Sequence, residues 1–209
     1  MSHGTANKGE INKVNGLAQF YHIIHNAIFS RLQYLDGIAP LALRIFLFMP
    51  FLMAGQQKIS GMENTIEWFG NPDWGLGLPF PAVLAHLAAY TEFIGAWLLL
   101  LGLATRWISV PLMFTMLVAI FAVHWDQGWA AIADSSAQEV AVRLGAARDI
   151  LRENGNYSWL TEKGNFVILN NGIEFAVTYM LMLLTLLFTG GGRFTSVDYF
   201  LSRLFPAKS

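Results

Sequence analysis

The sequence predicts an all-α polytopic membrane protein: a four-helix bundle with an amphipathic N-terminal helix and an extra surface helix between spans three and four. Three observations predict it. Only 13% of the 209 residues are charged, where a soluble domain carries about 25%. Hydrophobic residues make up 55%, and the mean hydropathy is +0.45. The apolar residues also gather into four long runs separated by polar segments, as hydrocarbon spans must. The whole chain, 1–209, reads as one membrane domain.

The first apolar element, 17–35, is too polar to span. Leu17, Phe20, Ile24, Ile28, Leu32 and Leu35 follow helical spacing, while Gln19, His22, Asn26 and Arg31 take other faces. A stripe of this kind suits a helix lying in the interface. His22 and His25 are one turn apart, but no third ligand is evident, so they read as interfacial side chains. Polar, mixed-charge residues from Met1 to Gly16 show no signal-peptide pattern, which leaves membrane insertion to the first span.

Span one is expected at about 38–55, interrupted only by Arg44, with Pro40 in its first turn and Pro50 inside, where a kink is expected. Span two, about 81–103, contains His86 and Glu92. Span three, about 107–125, has Pro111 in its first turn and ends on His124. Span four, about 166–189, carries Glu174 near its start. Each is near the ~20 residues that a hydrocarbon layer of ~30 Å requires.

Spans two and three are joined by a tight turn, Ala104-Thr105-Arg106, and the other connections are long. Residues 56–80 hold Trp68 and Trp74 among Gly and Pro. The 126–165 connection holds a helix at 136–154, with Ser136 and Glu139 as a capping box, a stripe of Val140, Leu144, Ala147 and Leu151, and Gly155 as its stop.

Charge gives the sidedness. One face collects Lys8, Lys13, Arg31, Arg106, Arg193, Arg203 and Lys208, seven basic residues against five on the other face. By the positive-inside rule both termini are cytoplasmic, and both long connections face outward in a cell inner membrane. Trp68, Trp74, Trp125, Trp129 and Trp159 crowd the outer side as an aromatic belt would. A faint internal echo, Glu92-Phe93 against Glu174-Phe175, suggests two similar helical hairpins.

With a net charge of −1 and no basic tract, nothing points to nucleic acid. Without cysteine, the chain has no thiolate metal site, Fe–S ligation or dithiol relay of its own.

The buried charges carry the functional argument, because each costs roughly 2.5–3.5 kcal/mol at bilayer depth on insertion scales. Lys58, Glu92, His124 and Glu174 come from four helices and converge on the outer half. Ala85, Ala88, Ala89, Glu92, Gly95, Ala96 and Gly102 share one small-residue face, so Glu92 should point into the bundle. His86, Tyr90, Phe93 and Trp97 form a bulkier face. Glu92 either pairs with Lys58 or Arg44 to fix the packing, or relays protons with His124 and Lys58 beside a redox-active or acidic ligand. Arg44 either binds ligand or snorkels to Asp198 and turn carbonyls. Haem between His86 and His124, and Zn or Cu on His124, Glu92 and Glu174, are further readings; His86 on a different face weighs against the haem.

The ordered pieces Arg44, Ala54-Gly55-x-x-Lys58, Trp68-Phe69, Glu92-x-x-Gly95, the Leu98 to Leu103 run with Thr105-Arg106, His124, and Gly192 to Asp198 resemble the DoxX family over about 40–200. The resemblance implies a small four-helix membrane protein associated with oxidoreductase systems, including the DoxD-type subunit of thiosulfate:quinone oxidoreductase. It gives the expected function: a membrane oxidoreductase subunit binding quinone near the outer face. Glu92, His124 and Lys58 would be catalytic, with Trp68, Glu174, Arg44 and His86 ligand-binding. Expected partners are the lipid bilayer, a partner oxidoreductase or assembly subunit, and a second copy in a homo-oligomer. A non-catalytic anchor or assembly subunit for a soluble partner is the alternative. Transport ranks lower, because four spans make a small transporter.

Overall fold

The computed structural model describes residues 19–27, 29 and 32–205; the regular elements among them are helices, with no strand. Of the N-terminal amphipathic helix, residues 19–27 are helical and exposed, with Tyr21 packed on the His22 and His25 rings. Leu17, Ile28, Arg31 and the charges at Lys8, Lys13 and Lys208 lie outside the described residues.

Three helices are long and apolar enough to cross a membrane. The first, α1 (Ile38–Ser60), runs five residues beyond the end expected from hydropathy and so carries Lys58 in its last turn. It continues through Pro50 as one helix. A short helix, α2 (Met62–Gly70), follows where a loop was expected. The second apolar helix is α3 (Pro81–Leu101), which opens on Pro81 and ends at Gly102. Proline suits a first turn, because its missing N–H has no helical partner there. Gly102 sits at φ 67°, the left-handed stop that glycine adopts without strain. The third is α4 (Thr105–Val118), continued by a π turn at Ala119–His124 and a 3-10 turn at Trp125–Gln127. Because α4 starts at Thr105, Pro111 lies in its interior rather than its first turn.

The surface helix α5 (Gln138–Asn154) stops before Gly155 as expected, but its cap differs. Ser136 does not bond the helix; its hydroxyl and its N–H both donate to Asp134 Oδ1, at 2.7 and 2.9 Å. Glu139 pairs instead with Arg143. Leu144 is buried on the packed side, while Ala147 is exposed and Arg148 half-buried. A single turn, α6 (Tyr157–Leu160), leads to the last apolar helix, α7 (Glu174–Thr189), and an amphipathic helix, α8 (Val197–Leu204), follows.

The start of α7 is the largest departure from hydropathy. Residues 166–173 are apolar enough to extend it, but they are not helical. Ala133 N–H donates to Ile168 O, Asn170 and Asn171 donate to Ala131 O, and Gly172 donates to Ala130 O, so this segment pairs with 128–133. Gly172 permits it, since a Cβ there would lie 2.6 Å from the Ala130 and Gly128 carbonyl oxygens.

The four apolar helices pack around one core, α1 on α3, α3 on α4, α4 on α7 and α7 on α1. Leu47, Phe51, Leu99, Leu112, Leu183 and Leu186 fill it. The outward faces stay apolar, with Val83, Leu87 and Ile94 of α3 and Phe114 of α4 exposed, which suits lipid. The chain is a membrane protein.

Candidate functional site

A close backbone approach between α1 and α3 positions the site. A Cβ on Gly55 would fall 2.6 Å from Phe93 N, so α1 and α3 touch here through glycine. One turn later Lys58 reaches across, and its Nζ lies 2.5 Å from Glu92 Oε2. The face expected to look inward does so: Ala85, Ala89, Glu92, Gly95 and Ala96 are buried. Only 6% of the Glu92 side chain is exposed, against 25% for Lys58. Packing the small residues close keeps the carboxylate nearly out of water, with the lysine as its ion-pair partner.

The pair lines a pocket of about 500 Å³ between α3 and α4, and the α2 segment walls one side. Trp68 and His124 line it too, so four of the seven predicted residues meet in one cavity. Its remaining walls are mainly apolar, among them Leu76, Leu84, Phe114 and Val118. The loop after α2 folds back to supply Leu76 and Leu78, whose N–H groups donate to Trp68 O and Phe69 O at 2.9 and 2.8 Å.

His124 reaches the pocket by way of the π turn. Such a turn is closed by backbone bonds between residues five apart rather than four, and both its first residue, Ala119, and its last, His124, line the pocket. The His124 Nδ1 lies 2.7 Å from the carbonyl oxygen of Asn171. A carbonyl only accepts, so Nδ1 carries the proton, and Nε2 of the neutral ring is an acceptor. Asn171 holds φ 60°, a left-handed conformation that asparagine tolerates, and so turns its carbonyl toward the ring.

The structure places the other three predicted residues elsewhere. Glu174 is the first residue of α7, and its carboxylate accepts from Ala131 N–H at 3.0 Å, fastening the 128–133 segment to the helix start. Glu92, by contrast, is the twelfth residue of its helix, so the echo between the two dipeptides has no common register. His86 is exposed, bonds Ala82 O and stacks on Tyr90. It does not face His124 across the pocket, and among the described residues no three His, Asp or Glu gather as a metal site would require.

Arg44 lies at the opposite end, 1% exposed. Its guanidinium donates to the carbonyls of Leu99, Leu100, Gly191 and Thr195. Two of these are end carbonyls of α3, which have no partners inside their helix. Asp198 complements it by accepting from Ala104 and Thr105 N–H, at 2.6 and 2.8 Å, where α4 begins. A basic residue thus holds a helix C-terminus and an acidic one an N-terminus, each favoured by the helix dipole.

Sequence reasoning missed Thr91, Thr115, Leu76 and Leu78 as pocket residues.

This geometry coincides with a family match. Residues 39–125 match the DoxX family model. Residues 39–125 are a DoxX domain. The matched stretch contains α1 to the π turn, and with it Lys58, Trp68, Glu92 and His124, every predicted residue that lines the pocket. It ends before the 126–165 connection and the Gly192 to Asp198 motif, so it is shorter than the 40–200 resemblance. Over 86 residues the chain is 38% identical to the Bacillus subtilis protein named "Putative oxidoreductase CatD", covering 41% of this chain and 60% of that one. It is 32% identical over 85 residues to inner membrane protein YphA of Escherichia coli, covering 40% of this chain and 58% of that protein. An uncharacterized protein of Haemophilus influenzae is 24% identical over 178 residues, 83% of this chain and 90% of its own length. No solved structure matches the chain.

Proposed function

We propose that the chain is a membrane oxidoreductase subunit, and that the pocket of its DoxX domain takes a quinone headgroup with Lys58, Glu92 and His124 handling protons and hydrogen bonds. One observation carries this: an apolar pocket of the DoxX domain holds a buried acid, its ammonium partner and an imidazole. The name of the Bacillus subtilis relative supports the reaction class.

The residues fit such a ligand. Leu84, Phe114 and Trp68 offer a flat apolar ring the contact it needs, and a pocket of this size is typical for small ligands. Lys58 has three N–H donors, of which one is engaged by Glu92. The remaining two suit a carbonyl oxygen. Neutral His124 accepts a proton at Nε2, and Glu92 accepts one from Lys58 or returns it. A bound quinone would supply an acceptor of two electrons and two protons. With no cysteine in the chain, the electrons come from a small molecule, a bound cofactor or a partner protein.

In this reading α7 is the fourth crossing of a four-helix membrane bundle. At 16 residues it spans about 24 Å at 1.5 Å per residue, short of the ~30 Å layer. The segments 128–133 and 166–173 complete it, bonded to each other through several backbone groups, as irregular backbone at this depth needs. Both termini are assigned to the cytoplasm of an inner-membrane protein, and the pocket to the outer half. The match to a relative named inner membrane protein supports the compartment.

Purified protein in detergent should bind decylubiquinone saturably, read by quenching of tryptophan fluorescence. Glu92→Gln and His124→Ala should each weaken binding about tenfold, the loss of a charge-assisted hydrogen bond in a dry pocket, while His86→Ala leaves it unchanged. Undiminished binding in both site variants would remove these residues from the site. A second reading, an anchor or assembly subunit for a soluble partner, draws on α5, whose Glu139–Arg143 and Asp149–Arg152 pairs are exposed. It predicts that deleting 138–154 abolishes co-purification of the partner and spares quinone binding.

A further inference from the structure

A second cavity, of about 470 Å³, opens at the Arg44 end, where α3 turns into α4 and α7 turns into α8. Its floor is the glycine run 190–192, and Arg106 and Arg193 stand on its rim with Trp107, Tyr199 and Ser202. Gly190 and Gly192 take φ 77° and 92°, a conformation reserved largely for glycine, and a Cβ on Gly190 would press on Arg106 Nε at 3.2 Å. The glycines therefore keep the floor low and the two arginines in place.

The charge here is unbalanced. Asp198 lines the cavity, but both its oxygens accept backbone N–H groups of the α4 start, and buried Arg44 interacts with it electrostatically from behind. Among the described residues, Arg106 donates from Nη2 to Phe188 O, and Arg193 has a loose pair with Asp36 at 3.5 Å and lies over the Phe194 ring. Most of their donors face open space. Tyr199 adds the decisive detail: its hydroxyl is buried and has no hydrogen-bond partner among the described residues. A buried, unmatched hydroxyl leaves its desolvation uncompensated, so the site asks for an acceptor.

The surroundings are those of a membrane surface. Trp107 is 83% exposed at the start of α4, Phe188 is exposed at the end of α7, and α8 presents Phe200 and Leu204 outward. Aromatic rings of this kind sit at headgroup depth, and basic pockets between helix ends hold anionic headgroups.

We propose that this cavity binds a phosphate group, of the kind an anionic phospholipid presents, with Arg106 and Arg193 as the charge partners and the Tyr199 hydroxyl as a donor. Arginine's planar fork matches phosphate oxygens. The acyl chains would run down the lipid-facing side past Trp107 and Phe188. The site is independent of the quinone pocket, which lies at the other end of the helices.

Full-length protein in non-ionic detergent, unfolded thermally with tryptophan fluorescence as the readout, tests this. Phosphatidylglycerol, phosphatidylcholine and inorganic phosphate are titrated separately. Phosphatidylglycerol should raise the midpoint saturably and phosphatidylcholine far less. The R106Q/R193Q double variant should weaken the effect at least about tenfold, and Y199F a few-fold. All three side chains are at the surface or on α8, so the variants should fold, and native mass spectrometry can count retained lipid on each. Stabilisation by inorganic phosphate alone, with the same dependence on the variants, keeps the phosphate site and assigns it to the free ion. Equal response to both lipids, or an unaltered response in the double variant, overturns the proposal.

Discussion

Lys58 and Glu92 form an ion pair at 2.5 Å across α1 and α3, and glycine at position 55, one turn before the lysine, is what lets the helices come close enough for it. Such a pair is a weak source of net stability, since desolvating both ions offsets most of their attraction, but losing one member leaves the other exposed to the full cost. Lys58→Met alone should therefore destabilise the protein by about 2–3 kcal/mol, the low end because a quarter of the lysine still meets solvent. The double variant Lys58→Met/Glu92→Leu should recover most of it. Reversible unfolding in mixed micelles reads both, and a double variant no more stable than the single one would contradict the pairing.

Gly55→Ala tests the approach itself. Its Cβ would meet Phe93 backbone at 2.6 Å, and backbone cannot swing aside as a side chain can. Separating the helices should cost about 1–3 kcal/mol, as overpacking does. It should also pull Lys58 from Glu92, so the coupling energy measured by the double-variant cycle should fall when the cycle is repeated on the Gly55→Ala protein.

Arg44 predicts a dissociation of folding from binding. Its four carbonyl bonds at about 1 kcal/mol each make Arg44→Met a loss of about 3–4 kcal/mol. The yield of folded protein should drop sharply. The fraction that folds should bind decylubiquinone with unaltered affinity, because this end of the helices contributes nothing to the pocket. Reduced affinity in well-folded Arg44→Met would place the arginine among the ligand contacts.

The Asp134 turn gives a pH signature. The Ser136 hydroxyl, and then its N–H, hold the Asp134 carboxyl below the ordinary aspartate range. A depressed folded pKa means the contribution is present above the unfolded value and is lost as pH falls through the folded one. The turn should thus persist at neutral pH and loosen only in strong acid. Ser136→Ala should move the Asp134 titration, followed by carboxyl carbon resonances, up toward the ordinary range.

Much of this was readable from residue patterns, for a physical reason. A hydrocarbon span needs an uninterrupted apolar run, and a buried charge among small residues can only face inward, so α1, α3 and the orientation of Glu92 were legible. Bonds between segments distant in sequence were not. Residues 166–173 look like helix because they are apolar, yet their N–H groups found carbonyls at 130–131. Ser136 and Glu139 have cap spacing, yet the serine turned to Asp134. Arg44 reads from its depth either as a ligand contact or as a partner of Asp198 and turn carbonyls; which four carbonyls occupy it does not show in sequence.

The π turn makes the sharpest test of the site, because helical phase alone places His124. Deleting Ala122, an exposed residue inside the turn, allows 119–124 to close as α-helix. Each α-helical residue advances by about 100°, from 3.6 residues per turn. Four of them after the deletion carry the imidazole about 400° from Ala119, within about 40° of the same face, so the ring should still reach the pocket. Circular dichroism should stay unchanged, since a π turn becomes an α turn with no helix lost. Decylubiquinone affinity should therefore stay near that of the parent, and His124→Ala added to the deletion should cost as much as it does in the parent. A deletion variant whose affinity falls as far as in His124→Ala would show that the imidazole works only from the wider turn and its bond to Asn171 O.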